Sequence, residues 1–463
     1  MSATTDEAFT IDPTKVRAWK RYPAYKDSGV EWLGEVPAEW EIKRLKHIST
    51  VNDDTLSENT SPDYRLLYVD ISNVDPIEGI QNIEELTFEK SPSRARRIVR
   101  SGDVIVSTVR TYLRAITPIV DPPENLIVST GFAVIRPNSR FDSKFAGYAL
   151  RDSYFIENVV ARSNGVSYPA INANELVSLE IPLPPLPEQH AIAAFLDRET
   201  ARIDALIAKK QRFIELLEEK RQAVISHVVT KGLDPDAEMK DSGVEWLGEV
   251  PDHWQLSRLK FLSTLQTGLT LGKRYEGQSL VTRPYLRVVN VQEGYFDLSI
   301  ITEVKIPPED VRRYELRPGD VLMTEGGDYD KLGRGYVWEG QIPDCLHQNH
   351  IFVVRPNQSK LKPHFLAAIL TSSYGKSYFT STSQQTTNLA TTNSTKLRNL
   401  PVLLPPLIEQ EMIIAFIQDL SGTMQMLFTK VNAQIEKLRE YRTALISAAV
   451  TGKIDVRGEG GPT

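Results

Sequence analysis

Two long stretches of the chain repeat apolar residues at helical spacing and contain almost no helix-breaking residues. Residues 188–231 contain neither glycine nor proline, and residues 407–451 contain only Gly422. In the second stretch a four–three alternation from Ile413 meets apolar side chains at ten of eleven positions, with Gln434 as the exception. The same frame in the first stretch meets seven apolar residues: Ile192, Leu196, Ile203, Leu206, Phe213, Leu217 and Val224. A sustained 3.5-residue period predicts two helices that pair along an apolar seam, and the alternative is two core helices in separate domains.

The segment before each long stretch alternates short apolar runs with turn residues, as is typical of strands. The predicted strands are Arg65–Val69, Asp103–Val109 and Ile127–Ile135 in the first segment, and Tyr285–Val291, Asp320–Thr324 and Ile351–Val354 in the second. Helices are predicted for Phe145–Arg162 and Pro363–Phe379. Each segment is therefore predicted to be a mixed, strand-rich α/β domain.

An internal repeat organises the chain. Residues 27–40 read DSGVEWLGEVPAEW and residues 241–254 read DSGVEWLGEVPDHW, with twelve of fourteen positions identical at an offset of 214. Weaker matches continue through Gly102-Asp103-Val104 and Gly319-Asp320-Val321, and the motif LPPL-x-EQ begins at Leu183 and again at Leu404. The chain is therefore two copies of one unit of roughly 220 residues, alike at their ends and divergent between them.

Composition narrows the class of protein. The net charge of −6 argues against a protein that coats DNA over its whole surface, although local basic patches remain possible. The single cysteine, Cys345, excludes an intramolecular disulfide and fits a reducing compartment. No run approaches the ~20 apolar residues of a membrane-spanning helix, and the first residues lack the pattern of a secretory signal. We therefore expect a cytoplasmic protein without a membrane partner.

The first mixed domain contains a basic cluster. Residues 90–114 hold seven basic residues and one acid, and Tyr112 lies among them. Guanidinium groups can hold phosphates or pair with guanine, so the cluster is a candidate DNA contact. The candidates are Arg94, Arg96, Arg97, Arg110, Tyr112 and Arg114. The alternative is an ordinary solvated charged face.

A second candidate loop runs from Arg162 to Tyr168 and follows a predicted helix. Asn164 could pair with adenine, and Tyr168 adds an aromatic ring. The alternative interpretation is a helix C-terminal cap with Gly165 in a left-handed conformation.

The second mixed domain has fewer basic residues in the equivalent loops. Lys331 and Arg334 are its main candidates for phosphate or base contacts, and a second group combines Lys273 and Arg274 with Tyr275. Gln384 and Gln385 occupy the sequence position of the Asn164 loop and could read adenine.

Several partial motifs do not support catalysis or a metal site. Asp121-Pro-Pro-Glu124 lacks the aromatic residue of amino-methyltransferases, and the glycines at 268 and 272 are spaced one residue short of a phosphate-binding loop. Cys345, His347 and His350 lack a suitably spaced fourth ligand. We therefore predict no catalytic residues, no metal and no cofactor bound by this chain.

The repeated opening segment, the LPPL-x-EQ motif and the heptad stretch that follows it resemble the specificity subunits of type I restriction–modification systems. The resemblance covers nearly the whole chain and follows the family's order. It implies an α+β fold in which two mixed α/β target-recognition domains are separated by two long antiparallel helices forming a coiled coil, with an internal pseudo-twofold repeat. The predicted divisions are an arm and opening segment (1–40), recognition domain 1 (41–182), helical spacer 1 (183–232), a linker and repeated opening segment (233–254), recognition domain 2 (255–403), helical spacer 2 (404–456) and a tail (457–463).

The resemblance also implies function and partners. Each recognition domain would read one half of a split, asymmetric site in double-stranded DNA, and the helices would set the spacing. Two methylation subunits and the restriction subunits would join this chain and use S-adenosylmethionine, ATP and magnesium, and self-oligomerisation is not expected. The alternatives are a fused methyltransferase or nuclease, and a stand-alone DNA-binding coiled-coil protein or DNA mimic.

Overall fold

The computed structural model describes residues 19–165, 167–244, 247–272, 275, 277–327, 333–385 and 390–459. The chain divides into two compact units. Unit 1 takes the described part of Met1–Lys210 and Asn432–Thr463, and unit 2 takes the described part of Gln211–Val431. Each unit therefore combines one mixed domain with segments from both long helices. No helix in the described ranges is long and apolar enough to cross a membrane.

Unit 1 contains fourteen strands among its described residues. They are β1 (Tyr25–Asp27), β2 (Glu35–Pro37), β3 (Glu41–Arg44), β4 (Ser49–Val51), β5 (Arg65–Val69), β6 (Val74–Asp75), β7 (Gly79–Ile80), β8 (Glu84–Thr87), β9 (Ala95–Ile98), β10 (Val104–Ser107), β11 (Ile116–Pro118), β12 (Leu126–Ser129), β13 (Phe132–Pro137) and β14 (Glu180–Leu183). The helices that begin here are α1 (Ser143–Ala149), α2 (Ser153–Ala161), α3 (Ala173–Leu176) and α4 (Leu186–Lys231), and α4 continues into unit 2.

Two four-stranded sheets form the centre of unit 1. One is antiparallel with the order β11-β10-β13-β4, and the other has the order β8-β5-β12-β9 with a parallel β5–β12 pair. Alternate side chains of β10 enter different cores. Val104 and Val106 pack with the helices, whereas Ile105 packs with the second sheet. Burial on both faces explains why β10 reads as a continuous apolar run.

Unit 2 has one four-stranded sheet and, among its described residues, a second central sheet of three strands rather than four. Its strands are β15 (Met239–Asp241), β16 (Glu249–Pro251), β17 (Gln255–Arg258), β18 (Ser263–Thr267), β19 (Val281–Leu286), β20 (Thr302–Ile306), β21 (Asp320–Thr324), β22 (Gly326–Gly327), β23 (Gly335–Trp338), β24 (Leu346–His347), β25 (Ile351–Pro356), β26 (Gln384–Gln385), β27 (Ala390–Thr391) and β28 (Pro401–Leu404). Its helices are α5 (Pro308–Tyr314), α6 (Pro363–Thr371), α7 (Ser373–Thr382), α8 (Ser394–Arg398) and α9 (Leu407–Val450), and α9 continues into unit 1. The sheet order β23-β21-β25-β18 matches β11-β10-β13-β4 strand for strand.

The two long helices are confirmed, and α9 follows its predicted seam closely. Each of the eleven frame positions of α9, including Gln434, is buried or half-buried. In α4 the prediction for Leu206 is wrong, because its side chain is 37% exposed and the neighbouring Ile207 packs against the core. Within unit 1, Arg442 donates to Asp204 at 2.9 Å, and Lys210 donates to Gln434 at 2.6 Å.

Some predicted elements are divided in the structure. The predicted strand Ile127–Ile135 is two strands, β12 and β13, because the chain turns at Thr130-Gly131, between two short apolar runs. The predicted helix Phe145–Arg162 is α1 and α2, because the side chain of Asp152 caps a new helix. In the same way the predicted helix Pro363–Phe379 is α6 and α7, and Ser372 is the cap between them. The predicted strand Tyr285–Val291 ends earlier, at Leu286.

The repeated motifs build one joint in each unit. Trp40 is buried and its Nε1 donates to Glu188 at 3.0 Å, and Trp254 donates to Glu409 over the same distance. The adjacent Gln189 accepts from the backbone of Asp142 at 2.8 Å and donates to two carbonyl oxygens. Gln410 does the same in unit 2, where it accepts from Lys362. The Glu-Gln pair of the LPPL-x-EQ motif therefore ties each long helix to its mixed domain.

In unit 1 the residues that follow α9 form hydrogen bonds with the first described residues and the opening segment. Lys453 Nζ donates to the carbonyl oxygens of Leu33 and Glu35, and the backbone of Asp455 donates to Lys20. In unit 2 the equivalent bond joins Lys231 to the carbonyl oxygen of Glu249.

Candidate nucleic-acid interface

The loop after β10 is held beside the loop after α2. Thr108 N donates to the Gly131 carbonyl at 2.8 Å, and Ile171 N donates to the Thr108 carbonyl at 2.9 Å. Thr111 Oγ1 also donates to Ser163 Oγ at 2.8 Å. These bonds bring the predicted groups 110–114 and 164–168 together on one surface, which we call the unit 1 recognition surface.

Two arginines with left-handed backbones bracket a short turn on this surface. Arg110 has φ 52° and Arg114 has φ 53°, and a 3-10 turn at Thr111–Leu113 lies between them. Left-handed backbone is unfavourable for residues other than glycine, and such strain is concentrated at functional sites. The turn presents Tyr112, which is 53% exposed. Arg110 lies 5.0 Å from the centre of the Tyr168 ring, which is 65% exposed.

This arrangement suits contact with nucleic acid. Exposed guanidinium groups can hold phosphates or pair with base edges, and exposed aromatic rings can stack on bases. Arg110, Tyr112 and Arg114 are all exposed to solvent. The exposed side chain of Asn164 follows the same surface, and its backbone forms two hydrogen bonds with Ala170.

The alternative interpretation of the Asn164 loop is wrong in detail. Helix α2 ends at Ala161 and its C-terminal cap is Arg162. Gly165 does have a positive φ of 115°, but it lies three residues beyond that cap. The glycine therefore shapes the loop that carries Tyr168 rather than ending the helix.

The arginines near β9 are more constrained than the sequence suggested. Arg94 donates to the Tyr68 hydroxyl at 3.1 Å and to Asp70 at 2.6 Å, so its charge is already paired. Arg96 lies 4.6 Å from the centre of the Phe88 ring. Arg97 is half-buried, burial lowers its pKa, and its Nη1 donates to Thr55 at 3.3 Å. These three side chains are less available for DNA than Arg110 and Arg114.

Unit 2 builds an equivalent surface from different residues. Glu325 N donates to the His350 carbonyl, and Thr392 N donates to the Glu325 carbonyl at 2.9 Å, as Ile171 does to Thr108. Strands β22, β27 and β26 then form a small sheet in which Gln384 pairs with Thr391. Gln384 thus has the backbone position that Asn164 has in unit 1. We call this the unit 2 recognition surface.

Of the other candidate DNA-contacting residues in unit 2, two are half-buried and the rest lie outside the described residues. Arg334 is half-buried and donates to Gln292 at 3.3 Å. Tyr275 is half-buried, and burial raises its pKa. Lys273, Arg274 and Lys331 lie outside the described residues, as do the side chains of Gln384 and Gln385.

The cysteine and histidines that suggested a metal set have separate environments. Burial raises the pKa of the Cys345 thiol to about 12 and lowers the pKa of His347 to about 4. The ring of His347 bonds to the Ile351 carbonyl and to Gln266. His350 instead pairs with Glu325 at 2.6 Å on the unit 2 recognition surface, a contact that the sequence did not reveal.

The residues that support both surfaces were missed as a group. Asp103 is buried and accepts two hydrogen bonds from Arg136 at 2.8 Å, and Asp320 accepts two from Arg355 at 2.6 and 2.7 Å. Each aspartate follows a glycine with φ 90° and lies at the start of the strand that leads to the recognition loop: Asp103 immediately before β10, and Asp320 as the first residue of β21. The available signal was the repeat of Gly-Asp-Val at 102–104 and 319–321 together with the repeat of Arg-Pro-Asn at 136–138 and 355–357, but the pairing of the two motifs was not predicted.

Comparison with known proteins identifies the family. The type I restriction modification DNA specificity domain matches residues 37–216 and 251–437. These two segments make up most of the chain, so the chain belongs to the type I restriction modification DNA specificity family.

Individual relatives agree with this assignment. The type I restriction enzyme EcoKI specificity subunit of Escherichia coli K12 is 24% identical over 326 residues, which are 69% of this chain and 68% of that protein. The MjaIX specificity subunit of Methanocaldococcus jannaschii is 22% identical over 441 residues, which are 92% of this chain and 95% of that protein. A further relative from M. jannaschii, 27% identical over 207 residues, is matched over about half of its length, 47%.

A solved chain from work on complex assembly and conformational transition of the type I R-M system has a similar fold. It is 25% identical with a TM-score of 0.65, and the match covers 90% of this chain and 98% of the other.

Proposed function

We propose that each unit reads one half of a split, asymmetric DNA site for a type I restriction–modification enzyme, and that the chain itself carries out no chemistry. One observation carries this proposal: the same supporting frame, Asp103–Arg136 and Asp320–Arg355, is built twice beneath two different recognition surfaces. Two different recognition surfaces above the same Asp–Arg ion pair suit a DNA site whose two halves differ in sequence.

The long helices are proposed to pair as an antiparallel coiled coil that sets the distance between the half-sites. Two contacts support this pairing: Asp204 binds Arg442, and Lys210, further along α4, binds Gln434, which lies earlier in α9. The partner's number falls as the number along α4 rises, as it must for antiparallel helices. The buried frame of α9 supplies the apolar seam.

Two methylation subunits are proposed to dock on the repeated opening segments. Trp40 and Trp254 are buried, so the fold requires both of them. Trp32 is different because it is 63% exposed, and Trp246 repeats it in the sequence. A tryptophan that is exposed in the first copy and repeated in the sequence of the second fits a docking site used twice by the same partner.

The partner subunits are proposed to carry the cofactors. S-adenosylmethionine, ATP and magnesium would be used by the methylation and restriction subunits, and this chain would contribute recognition of double-stranded DNA. We propose that the assembly works in the cytoplasm, and that pairing between copies of this chain is unnecessary because each copy already contains both readers.

The deciding experiment is to methylate DNA with the complex of this chain and its methylation subunits and then to sequence the modified bases. We expect two unlike half-sites separated by a fixed spacer. One short symmetric target would overturn the proposal. Methyl transfer from labelled S-adenosylmethionine by the isolated chain would show an enzyme instead, and DNA binding unaffected by the methylation subunits would favour a stand-alone DNA-binding protein.

A further inference from the structure

Two polar residues of the helix seam lie against each other in unit 1. Lys210 occupies a frame position of α4 and is only 3% exposed, whereas the frame residues Lys220 and His227 are exposed. Gln434 is the one polar residue in the frame of α9. Lys210 Nζ donates to Gln434 Oε1 at 2.6 Å. The polar seam position of α9 is therefore matched to the buried polar position of α4.

Burial makes this contact costly to lose. An ammonium group removed from water is unfavourable unless it is hydrogen-bonded, and the same holds for a side-chain amide. Burial lowers the pKa of Lys210, which agrees with its position in the seam. The ion pair between Asp204 and Arg442 lies on the same stretch of the two helices, and it joins a half-buried arginine to an exposed aspartate, which water screens more than it screens the Lys210 contact.

A slide of one helix along the other would separate the pair. Heptad seams can shift by seven residues while apolar contacts are exchanged for similar ones. In one direction Lys210 would meet Leu427, and Gln434 would meet Ile203. In the other direction Gln434 would meet Leu217. Either slide therefore places the Gln434 amide against an aliphatic side chain and takes Lys210 away from its acceptor.

We propose that Lys210 and Gln434 are a register lock, a positioning pair that holds α4 and α9 in their observed heptad register together with the contacts that both helices make to the mixed domain of unit 1. Its consequence for DNA rests on the proposed function. One heptad is a slide of about 10.5 Å, or about three base pairs of B-form DNA. The pair would thus determine which spacer length the subunit accepts.

Engineered cysteines can report the register directly, because the natural Cys345 is buried. Ile203→Cys with Tyr441→Cys lies one heptad from the pair on each helix and reports the native register. Ile203→Cys with Ala448→Cys, and Leu196→Cys with Tyr441→Cys, report slides in the two directions. In the otherwise unchanged chain we expect oxidation to cross-link only the native reporter.

The register lock is tested by introducing Lys210→Leu and Gln434→Leu together into each of the three double-cysteine variants. We expect at least a tenfold rise in a slid cross-link relative to the native one, and unchanged slid cross-links would overturn the proposal. Lys209→Leu with Ala433→Leu changes exposed neighbours and should leave the native register alone. Gln434→Glu keeps a hydrogen-bond acceptor for Lys210, so this variant should also retain the native cross-link. Should the double variant not fold, Gln434→Leu alone must still raise a slid cross-link.

The assembled methylation complex supplies the DNA measurement. Targets whose spacers are three base pairs longer or shorter should be methylated about tenfold better by the double variant, relative to the native spacer, than by the unchanged enzyme. No change in spacer preference despite a slid cross-link would overturn the role in spacing. If the unchanged complex does not methylate a split DNA target, the proposed function is wrong. The cross-linking result would still show whether Lys210 and Gln434 hold the register of the two helices.

Discussion

In unit 1 the loop after β10 presents Arg110 and Arg114 around an exposed tyrosine, whereas in unit 2 the loop after β21 begins with Glu325, whose carboxylate is paired with His350. Both loops are nevertheless anchored by the same backbone bonds, from Ile171 to Thr108 and from Thr392 to Glu325. Comparing the two surfaces separates the residues that hold a loop in place from those that give it its chemistry. The supporting bonds are duplicated and the exposed side chains are not, so each surface can change without disturbing its support.

The largest expected effect comes from breaking the buried ion pair in one unit. Arg136 also binds Asp54 at 2.6 Å, but the position equivalent to Asp54 in unit 2 is Gly268. Asp320→Asn should therefore lower the free energy of unfolding of unit 2 by about 3–5 kcal/mol. Asp103→Asn should cost unit 1 less, about 1–3 kcal/mol. Hydrogen exchange of backbone amides in β21 and β25 would measure the stability of unit 2, and exchange in β10 and β13 would measure that of unit 1. Equal losses of stability in the two variants would contradict the idea that Asp54 compensates for the loss of Asp103.

Acid should weaken unit 2 selectively through His347. Its pKa falls from 6.5 to about 4 on burial, so the unfolded chain binds the proton more readily than the folded chain between these values. Stability is full above pH 6.5 and is lost as the pH falls, by up to about 3 kcal/mol near pH 4. Strand pairing places Val128 of unit 1 at the equivalent position. His347→Val should thus remove this pH dependence in urea titrations of stability, and its persistence would assign it to other groups.

Removing one recognition arginine should affect one half-site. Arg110→Ala takes away an exposed guanidinium and its contact with Tyr168, and we expect a loss of about 1–3 kcal/mol in discrimination at the first half-site. Arg114→Ala should act in the same way. Competition binding by the assembled enzyme, with DNA altered in one half at a time, measures this loss.

Two controls accompany that measurement. Arg65→Ala removes an exposed charge of β5 that pairs with Glu85 of β8, and should leave both half-sites intact. Arg334→Ala should act on the second half-site alone. Equal loss at both half-sites with Arg110→Ala would argue against independent readers.

The smallest effect tests the duplicated joint. Trp40→Phe and Trp254→Phe each remove one hydrogen bond, to Glu188 and Glu409, and should each cost about 1 kcal/mol. Hydrogen exchange near β3 and β17 would show whether the two units respond alike. A markedly unequal response would mean that the joints differ despite their shared geometry.

The sequence was most informative where one local rule decides the structure. The long helices could be predicted because glycine and proline are nearly absent and the apolar period is sustained. The break between β12 and β13 was not predicted although Ser129, Thr130 and Gly131 interrupt the apolar residues there, because so short a polar interruption also fits a single strand. The prediction that Leu206 lies in the seam was wrong because a fixed heptad frame cannot indicate that the neighbouring Ile207 packs against the core instead.

The candidate site was predictable as a region but not residue by residue. The density of arginine over residues 90–114 indicated the correct part of unit 1. Which arginines are exposed depends on distant partners: Asp70 and Tyr68 hold Arg94, and burial restricts Arg97. The pairing of Asp103 with Arg136 likewise joins residues from different strands, and strand order is not contained in local sequence.

The contacts of Lys453 and Lys231 with the opening segments differ in the length of chain that each one closes. In unit 2, Lys231 and Glu249 are close along the chain, so forming their bond closes a short loop. In unit 1, Lys453 reaches Leu33 and Glu35 from the far end of the described chain, so the same bond closes a loop of several hundred residues. The entropy of loop closure grows with the logarithm of length, so unit 1 carries a cost of roughly 2–3 kcal/mol that unit 2 largely avoids. The lysine contact of unit 1 should therefore open before that of unit 2 as the chain unfolds.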